Sequence, residues 1–257
     1  MRRRPGRPVV NALRLCLGTL TVLPVRPPGS VDRRTAGAAM ALAPVAGVLL
    51  GVLAVAVGSL QSPVLVTAVL VVAALALATR GMHLDGLADT ADGLGSGKPA
   101  AGALEVMRRS DIGPFGVVTL VLVLLLQVTS TASVLGHAAG PVVVGVAVLA
   151  SRAVLPLLCS WLPSARPDGL GHLVARSARP AQVVGSLVAT AVLAGLAVAF
   201  GSYPIGWAVA AIVVGPALGV CFAAYAARRL GGVTGDVLGA AVESALTVSL
   251  VVLASAT

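Results

Sequence analysis

The chain has 257 residues, of which 58% are hydrophobic and only 11% charged, and its formal net charge is +9. A soluble globular chain carries about 25% charged residues, so this composition, with a mean hydropathy of +1.01, excludes a water-soluble domain and places most of the surface in lipid. No arginine run interleaves with aromatic residues, so the positive balance reads as membrane orientation and contact with anionic lipid, with no nucleic acid as partner.

Residues 1–34 are basic and proline-rich. The apolar stretch Val9 to Val25 is interrupted by Asn11 and Arg14 and is followed by no small-residue cleavage site, so it reads as an N-terminal interfacial helix rather than a signal peptide. Seven apolar runs follow, at approximately 36–60, 63–80, 114–136, 140–162, 181–201, 204–226 and 237–256. Each is near the roughly 20 residues that a bilayer demands. Pro63, Pro141 and Pro204 begin spans, where a missing N–H costs nothing. The expected architecture is all-α: a single integral membrane domain over 1–257, with about seven spans. Cys16, Cys159 and Cys221 are odd in number and far apart, and they read as small apolar fillers.

The charges divide by side. With a cytoplasmic N-terminus, the segments near 61–62, 137–140 and 202–203 are external and contain no Lys or Arg. The segments 81–113, 163–180 and 227–236 are internal and hold Lys98, Arg108, Arg109, Arg166, Arg176, Arg179, Arg228 and Arg229. That asymmetry satisfies the positive-inside rule. Asp85, Asp89, Asp92, Glu105, Asp111, Asp168 and Asp236 fall on the same side. Polar chemistry gathered at one face favours a cytoplasmic active site over a transport path, which needs polar groups near the midplane.

The segment 81–113 is the expected active-site loop. Asp85, Asp89 and Asp92 are spaced i, i+4, i+7, which on a helix puts them within about 60° of one another. Three carboxylates in one stripe repel each other, and the repulsion grows near lipid. A divalent cation removes it, and oxygen-only ligands suit Mg²⁺ or Mn²⁺. Against this stands a plain solvated acidic face, and Gly86 and Gly93 weaken the helix. His83 falls at about 160°, off the stripe, and is open to either a hydrogen-bonded or a catalytic role. Arg108 and Arg109 are candidates to hold phosphate oxygens, or else simple inside anchors. The second acidic motif spans 227–243. Gly231, Gly232 and Gly235 allow backbone close to a phosphate, and Thr234 or Asp236 is placed to cap the last span. Asp236 and Glu243 share a face. Glu243 is costly inside a span unless paired, and Arg152 is its expected partner. Two acidic clusters, arginines and glycine-rich turns on one face suggest metal-assisted phosphoryl transfer.

At these residues the chain resembles the cobalamin synthase family, the adenosylcobinamide-GDP ribazoletransferases. The resemblance rests on His83-Leu-Asp-Gly-Leu-Ala-Asp-Thr-Ala-Asp-Gly93 and Gly231-Gly-Val-Thr-Gly-Asp-Val-Leu-Gly-Ala-Ala-Val-Glu243. Leu20-Thr-Val-Leu-Pro-Val25, Arg152 and Gly169-Leu-Gly171 are weaker matches. Met107-Arg-Arg-Ser-Asp-Ile-Gly113 departs from the family's pattern, with acid and arginine exchanged about Ser110, so Asp111 is not taken as a ligand.

The resemblance implies a transferase of cobalamin biosynthesis. It joins adenosylcobinamide-GDP to α-ribazole or α-ribazole 5′-phosphate, releases GMP, and uses Mg²⁺. It implies Asp85, Asp89 and Asp92 as metal ligands, with Asp236 and Glu243 as a second acidic wall. Arg108 and Arg109 would hold phosphates beside Gly232 and Thr234, and one acid or His83 would take the hydroxyl proton. The expected place is a bacterial-type inner membrane, crossed several times, with the site facing the cytoplasm; a homo-oligomer is compatible with this. A CDP-alcohol phosphotransferase and a transporter subunit are the competing readings. The first lacks its Asp-x-x-Asp-Gly-x-x-Ala-Arg opening here.

Overall fold

A computed structural model describes residues 8–199 and 202–256, and in these the regular structure is helical. Helix α1 (Pro8–Leu20) packs on α2 (Arg33–Ala41), whose first turn is capped by the Asp32 carboxylate accepting from the Thr35 amide at 2.7 Å. Helix α2 runs on into α3 (Ala43–Gly58) as one apolar span. Then follow α4 (Val64–Ala78), α5 (Met82–Gly95), α6 (Ala100–Val106) and α7 (Pro114–Leu135). The second half comprises α8 (Gly140–Arg152) with α9 (Val154–Trp161), α10 (Gly169–Val174), α11 (Pro180–Ala199), α12 (Ile205–Leu230) and α13 (Gly235–Ala254).

Among the described residues, six helices or helix pairs are long and apolar enough to cross a membrane: Arg33–Gly58, Pro114–Leu135, Gly140–Trp161, Pro180–Ala199, Ile205–Leu230 and Gly235–Ala254. The expected span at 63–80 is α4. Its 15 residues give about 22 Å of rise. Arg80 and Gly81 then take φ of +57° and +67°, two left-handed residues in succession, and α5 leaves α4 at 87°. Carrying His83 and three acids, α5 does not continue the span. It lies across α13 and α7.

The bundle is built around α8–α9 and α13. The most apolar stretch of each is 89% and 72% buried inside the protein, against 22–44% for the other spans, whose outer faces are left for lipid. Small residues permit the close packing that membrane helices use in place of a hydrophobic drive. A side chain at Gly51 of α3 would come within 2.7 Å of the Gly145 carbonyl of α8.

The segment 81–113 is therefore two helices rather than an irregular loop, and its glycines are there for contact. A Cβ at Gly86 would sit 2.7 Å from the Asp236 carbonyl oxygen and 2.8 Å from its Cα, so α5 and α13 meet backbone to backbone. At Gly93 a Cβ would meet the Met107 side chain at 2.5 Å. The helix-weakening cost of glycine is offset by docking that alanine would block. Gly86→Ala is expected to destabilise the protein by about 1–3 kcal/mol, the usual range for overpacking, and to lower its melting temperature in detergent. A melting curve that matches the parent would disprove the backbone contact.

Candidate active site

The three aspartates of α5 do share one stripe, but each stands in a different environment. Asp85 is exposed, Asp89 half-buried and Asp92 buried. Both carboxylate oxygens of Asp92 are taken by backbone donors: the Gly113 amide donates to one at 2.7 Å and the Gly116 amide to the other at 2.9 Å. Gly113 is the N-cap residue of α7, so Asp92 supplies from another helix the acceptor that the first turn lacks and a negative charge at its positive end. Asp92 is thus engaged in fixing α7 against α5.

Asp85 and Asp89 face the N-terminus of α13. Thr234 caps that helix, accepting from the Val237 amide at 3.2 Å, and its hydroxyl also donates to the Asp236 carboxylate at 3.2 Å. Arg166 approaches the same carboxylate at 3.9 Å while donating to the Leu104 carbonyl at 2.9 Å, so it ties the 163–168 segment to α6 and α13. Asp89 feels all of these charges. Burial, then the negative charges of Asp85, Asp236 and Asp92, push its carboxyl up to about 7, against the opposing pull of Arg166. A cavity of about 160 Å³ opens here, lined by Ser164, Arg166, His172, Thr234 and Asp236 among others.

The remaining expected site residues fall elsewhere. Arg108 is exposed and pairs with Asp168 at 3.2 Å on the rim of that cavity. Arg109 and Asp111 are exposed. Gly232 is buried against the backbone of Pro163 to Ala165, where the Val233 amide donates to the Pro163 carbonyl at 2.7 Å and the Ala165 amide to the Val233 carbonyl at 3.1 Å. Its role on this geometry is close packing of the turn, and Val233, Thr234 and Gly235 line the cavity instead.

His83 and Glu243 are both buried inside the bundle, and His83 also lines a cavity that includes Asp85 and Asp236. His83 Nδ1 is 4.0 Å from the Glu243 carboxylate, too far for a hydrogen bond. Burial, with the Arg152 guanidinium nearby, pushes the imidazole down to about 3, so the ring is neutral. The direct partner of Glu243 is not Arg152 but Gln127 of α7, which donates to the carboxylate at 2.8 Å and to the Thr247 hydroxyl at 3.0 Å. Arg152 acts on Glu243 through space while donating to Ser151 Oγ at 2.6 Å and the Val148 carbonyl at 3.3 Å. Gln127 and Arg166 are positions of the junction that sequence reading did not single out. A lone amide in the middle of an apolar span was the available signal for Gln127.

Among the described residues, no group of three or more His, Cys, Asp or Glu is closed to metal-ligating distance. The donor chemistry at the α5–α13 junction nevertheless fits a hard cation: Asp85, Asp89 and Asp236 are oxygen donors, and their mutual repulsion already raises Asp89. Asp92 and Glu243 are held in other hydrogen bonds.

Two stability measurements separate these roles. Because the folded-state value for Asp89 lies above the ordinary carboxylate value, the folded protein holds an extra proton between about pH 4 and 7 and loses stability as pH rises through that window. In chelator, Asp89→Asn is expected to melt above the parent at pH 8 by an equivalent of about 1–2 kcal/mol, discounted for its solvent-facing side, with the gain fading by about pH 4. Asp92→Ala is expected to destabilise by about 1–2 kcal/mol as a lost cap, at both pH values. An Asp89 variant no more stable than the parent at pH 8 would contradict the repulsion.

The matches to known proteins extend over nearly the whole chain. The family model described as cobalamin-5-phosphate synthase matches residues 12–254. A protein of Frankia casuarinae named adenosylcobinamide-GDP ribazoletransferase is 42% identical over 254 residues, covering 91% of each chain. A Nocardioides protein of the same name is 42% identical, covering 93% of this chain and 96% of its own. A similarly named protein of Chlorobium chlorochromatii is 37% identical over 91% of this chain and 92% of its own. No solved structure matches. With both acidic motifs inside the matched region, the chain belongs to the cobalamin-5-phosphate synthase family.

Proposed function

We propose that this membrane protein joins adenosylcobinamide-GDP to α-ribazole, or to its 5′-phosphate, giving adenosylcobalamin, or its 5′-phosphate, and GMP. The relatives' shared name supports the reaction. The observation that carries it in this chain is the convergence of Asp85 and Asp89 from α5 with Asp236 from α13, where Asp236 and Arg166 line a polar cavity.

In the reaction a ribose hydroxyl of α-ribazole forms a bond to the phosphorus attached to cobinamide. The phosphoanhydride bond breaks, and GMP leaves with the bridging oxygen. The charge to be handled lies on the phosphate oxygens, and positioning with neutralisation does most of the work in such transfers. Arg166 is fixed by the Leu104 carbonyl and stands where a phosphate would enter. Arg108, on the rim, meets the nucleotide first and exchanges Asp168 for it. Asp85, Asp89 and Asp236 would hold Mg²⁺, which when bound would neutralise phosphate charge. A carboxylate of this trio that remains free, or solvent, takes the hydroxyl proton. His83 is neutral and buried, and it lines a cavity together with Asp85 and Asp236.

The site is proposed to face the cytoplasm of a bacterial-type inner membrane, because the arginine-bearing segments 163–180 and 227–236 surround the same end of the bundle as the aspartates. The test is purified protein in lipid nanodiscs with both substrates, reading GMP release and a completed corrinoid. Turnover is expected with Mg²⁺ and not with chelator. Asp89→Asn and Asp236→Asn are each expected to lose about 100-fold or more, in the range that loss of one charge-stabilising group costs. Near-normal turnover by Asp89→Asn at saturating Mg²⁺ would remove that residue from the site.

A further inference from the structure

Two cavities meet at Asp236, and they differ in chemistry. The polar one, described above, carries Arg166, His172 and Thr234. The other, of about 190 Å³, shares Leu170, Gly235 and Asp236 with it and reaches across to α1, α2 and α9 beneath the start of α5. Its walls include Leu20, Met40, Leu155 and Leu238, each at most 4% exposed. Polar groups are few there: Thr19, His83 and Asp85, beside the shared Asp236.

We propose that this second cavity is the acceptor subsite, holding the benzimidazole base of α-ribazole and leaving its ribose at the Asp85–Asp236 border. The assignment rests on the transferase reading above and adds which substrate lies on which side. Two substrates must meet at one phosphorus, so two compartments sharing one carboxylate wall is the arrangement the reaction needs. The arginine side suits the anionic donor. On the apolar side, guanine would leave its ring of donors and acceptors unpaired, at a cost that buried polar groups do not tolerate. A corrin ring is too large for 190 Å³. A flat, two-ring base with few polar atoms fits, and the thioethers of Met40 and Met82 suit contact with an aromatic face.

The proposal is tested by following α-ribazole fluorescence on titration with the protein, without the cobinamide substrate or metal, alongside steady-state kinetics. For the parent, the titration saturates, and free benzimidazole base displaces the ligand while GMP does not. Leu155→Phe, which narrows the cavity away from the reacting groups, is expected to weaken α-ribazole binding and raise its KM about tenfold, a pocket-scale steric effect. The KM for adenosylcobinamide-GDP should stay within about twofold on the same scale. Should that variant fail to fold, Leu155→Ala is expected to weaken α-ribazole binding while improving binding of a three-ring analogue relative to it. An unchanged KM for α-ribazole, a shift in the KM for adenosylcobinamide-GDP instead, or displacement by GMP overturns the assignment. Absence of turnover by the parent would refute the transferase reading, whereas the titration needs no turnover and still decides the subsite.

Discussion

The contact between α5 and α13 is the constraint on which the site depends. Gly86 lets the backbone of α5 rest on the backbone of Asp236, and Gly239 lets α13 accept the Cα of His83 at 3.1 Å from where its own Cβ would be. These approaches are closer than any side-chain packing would allow. They place two carboxylates of one helix opposite a carboxylate of another, an arrangement that is repulsive on its own. A fold spends stability in this way where function uses the strain. The weight of the packing lies in the buried helices α8, α9 and α13, which supply the rigidity that the repulsion opposes.

On the far side of α5 a second polar group does a different task. Gln127, Glu243, Thr247 and His83 come from three helices and meet inside the bundle. In such surroundings a satisfied hydrogen bond specifies one arrangement, because a slipped one leaves a buried polar atom without partners. The carboxamide of Gln127 bridges α7 to α13 with two hydrogen bonds, and α5 is held between those same helices by Asp92 at one end and by the Gly239 contact at the other. The acidic face of α5 is thereby fixed from behind.

How much of this was legible in the sequence follows from which interactions are local. The spans were legible, since length and hydropathy decide them. The stripe was legible too, because helical spacing is a property of the chain alone. The 87° turn after α4 was not: it needs Arg80 and Gly81 in left-handed conformations, and a basic residue before a glycine carries no such signal. Glycines 86 and 93 read as weaknesses because their compensation comes from Asp236 and Met107, distant in sequence. Arg152 looked like the partner of Glu243 because opposite charges are the pairing a sequence suggests. The structure gives that place to a neutral amide on α7.

Three aspartates with one spacing have thus acquired different environments, and the cause is position relative to helix ends. Asp92 meets the start of α7, where unpaired amides can take both of its oxygens, and a carboxylate so held has little left for a cation. Asp85 meets solvent and the wall of the second, largely apolar cavity. Asp89, half-buried between them, has its charge opposed by burial and by the neighbouring carboxylates, with Arg166 pulling the other way. Of the three it has the most to gain from a cation and from the phosphates that a cation brings. The sequence motif therefore encodes a gradient along one helix face, from structural anchor to open carboxylate, with the half-buried Asp89 in the middle.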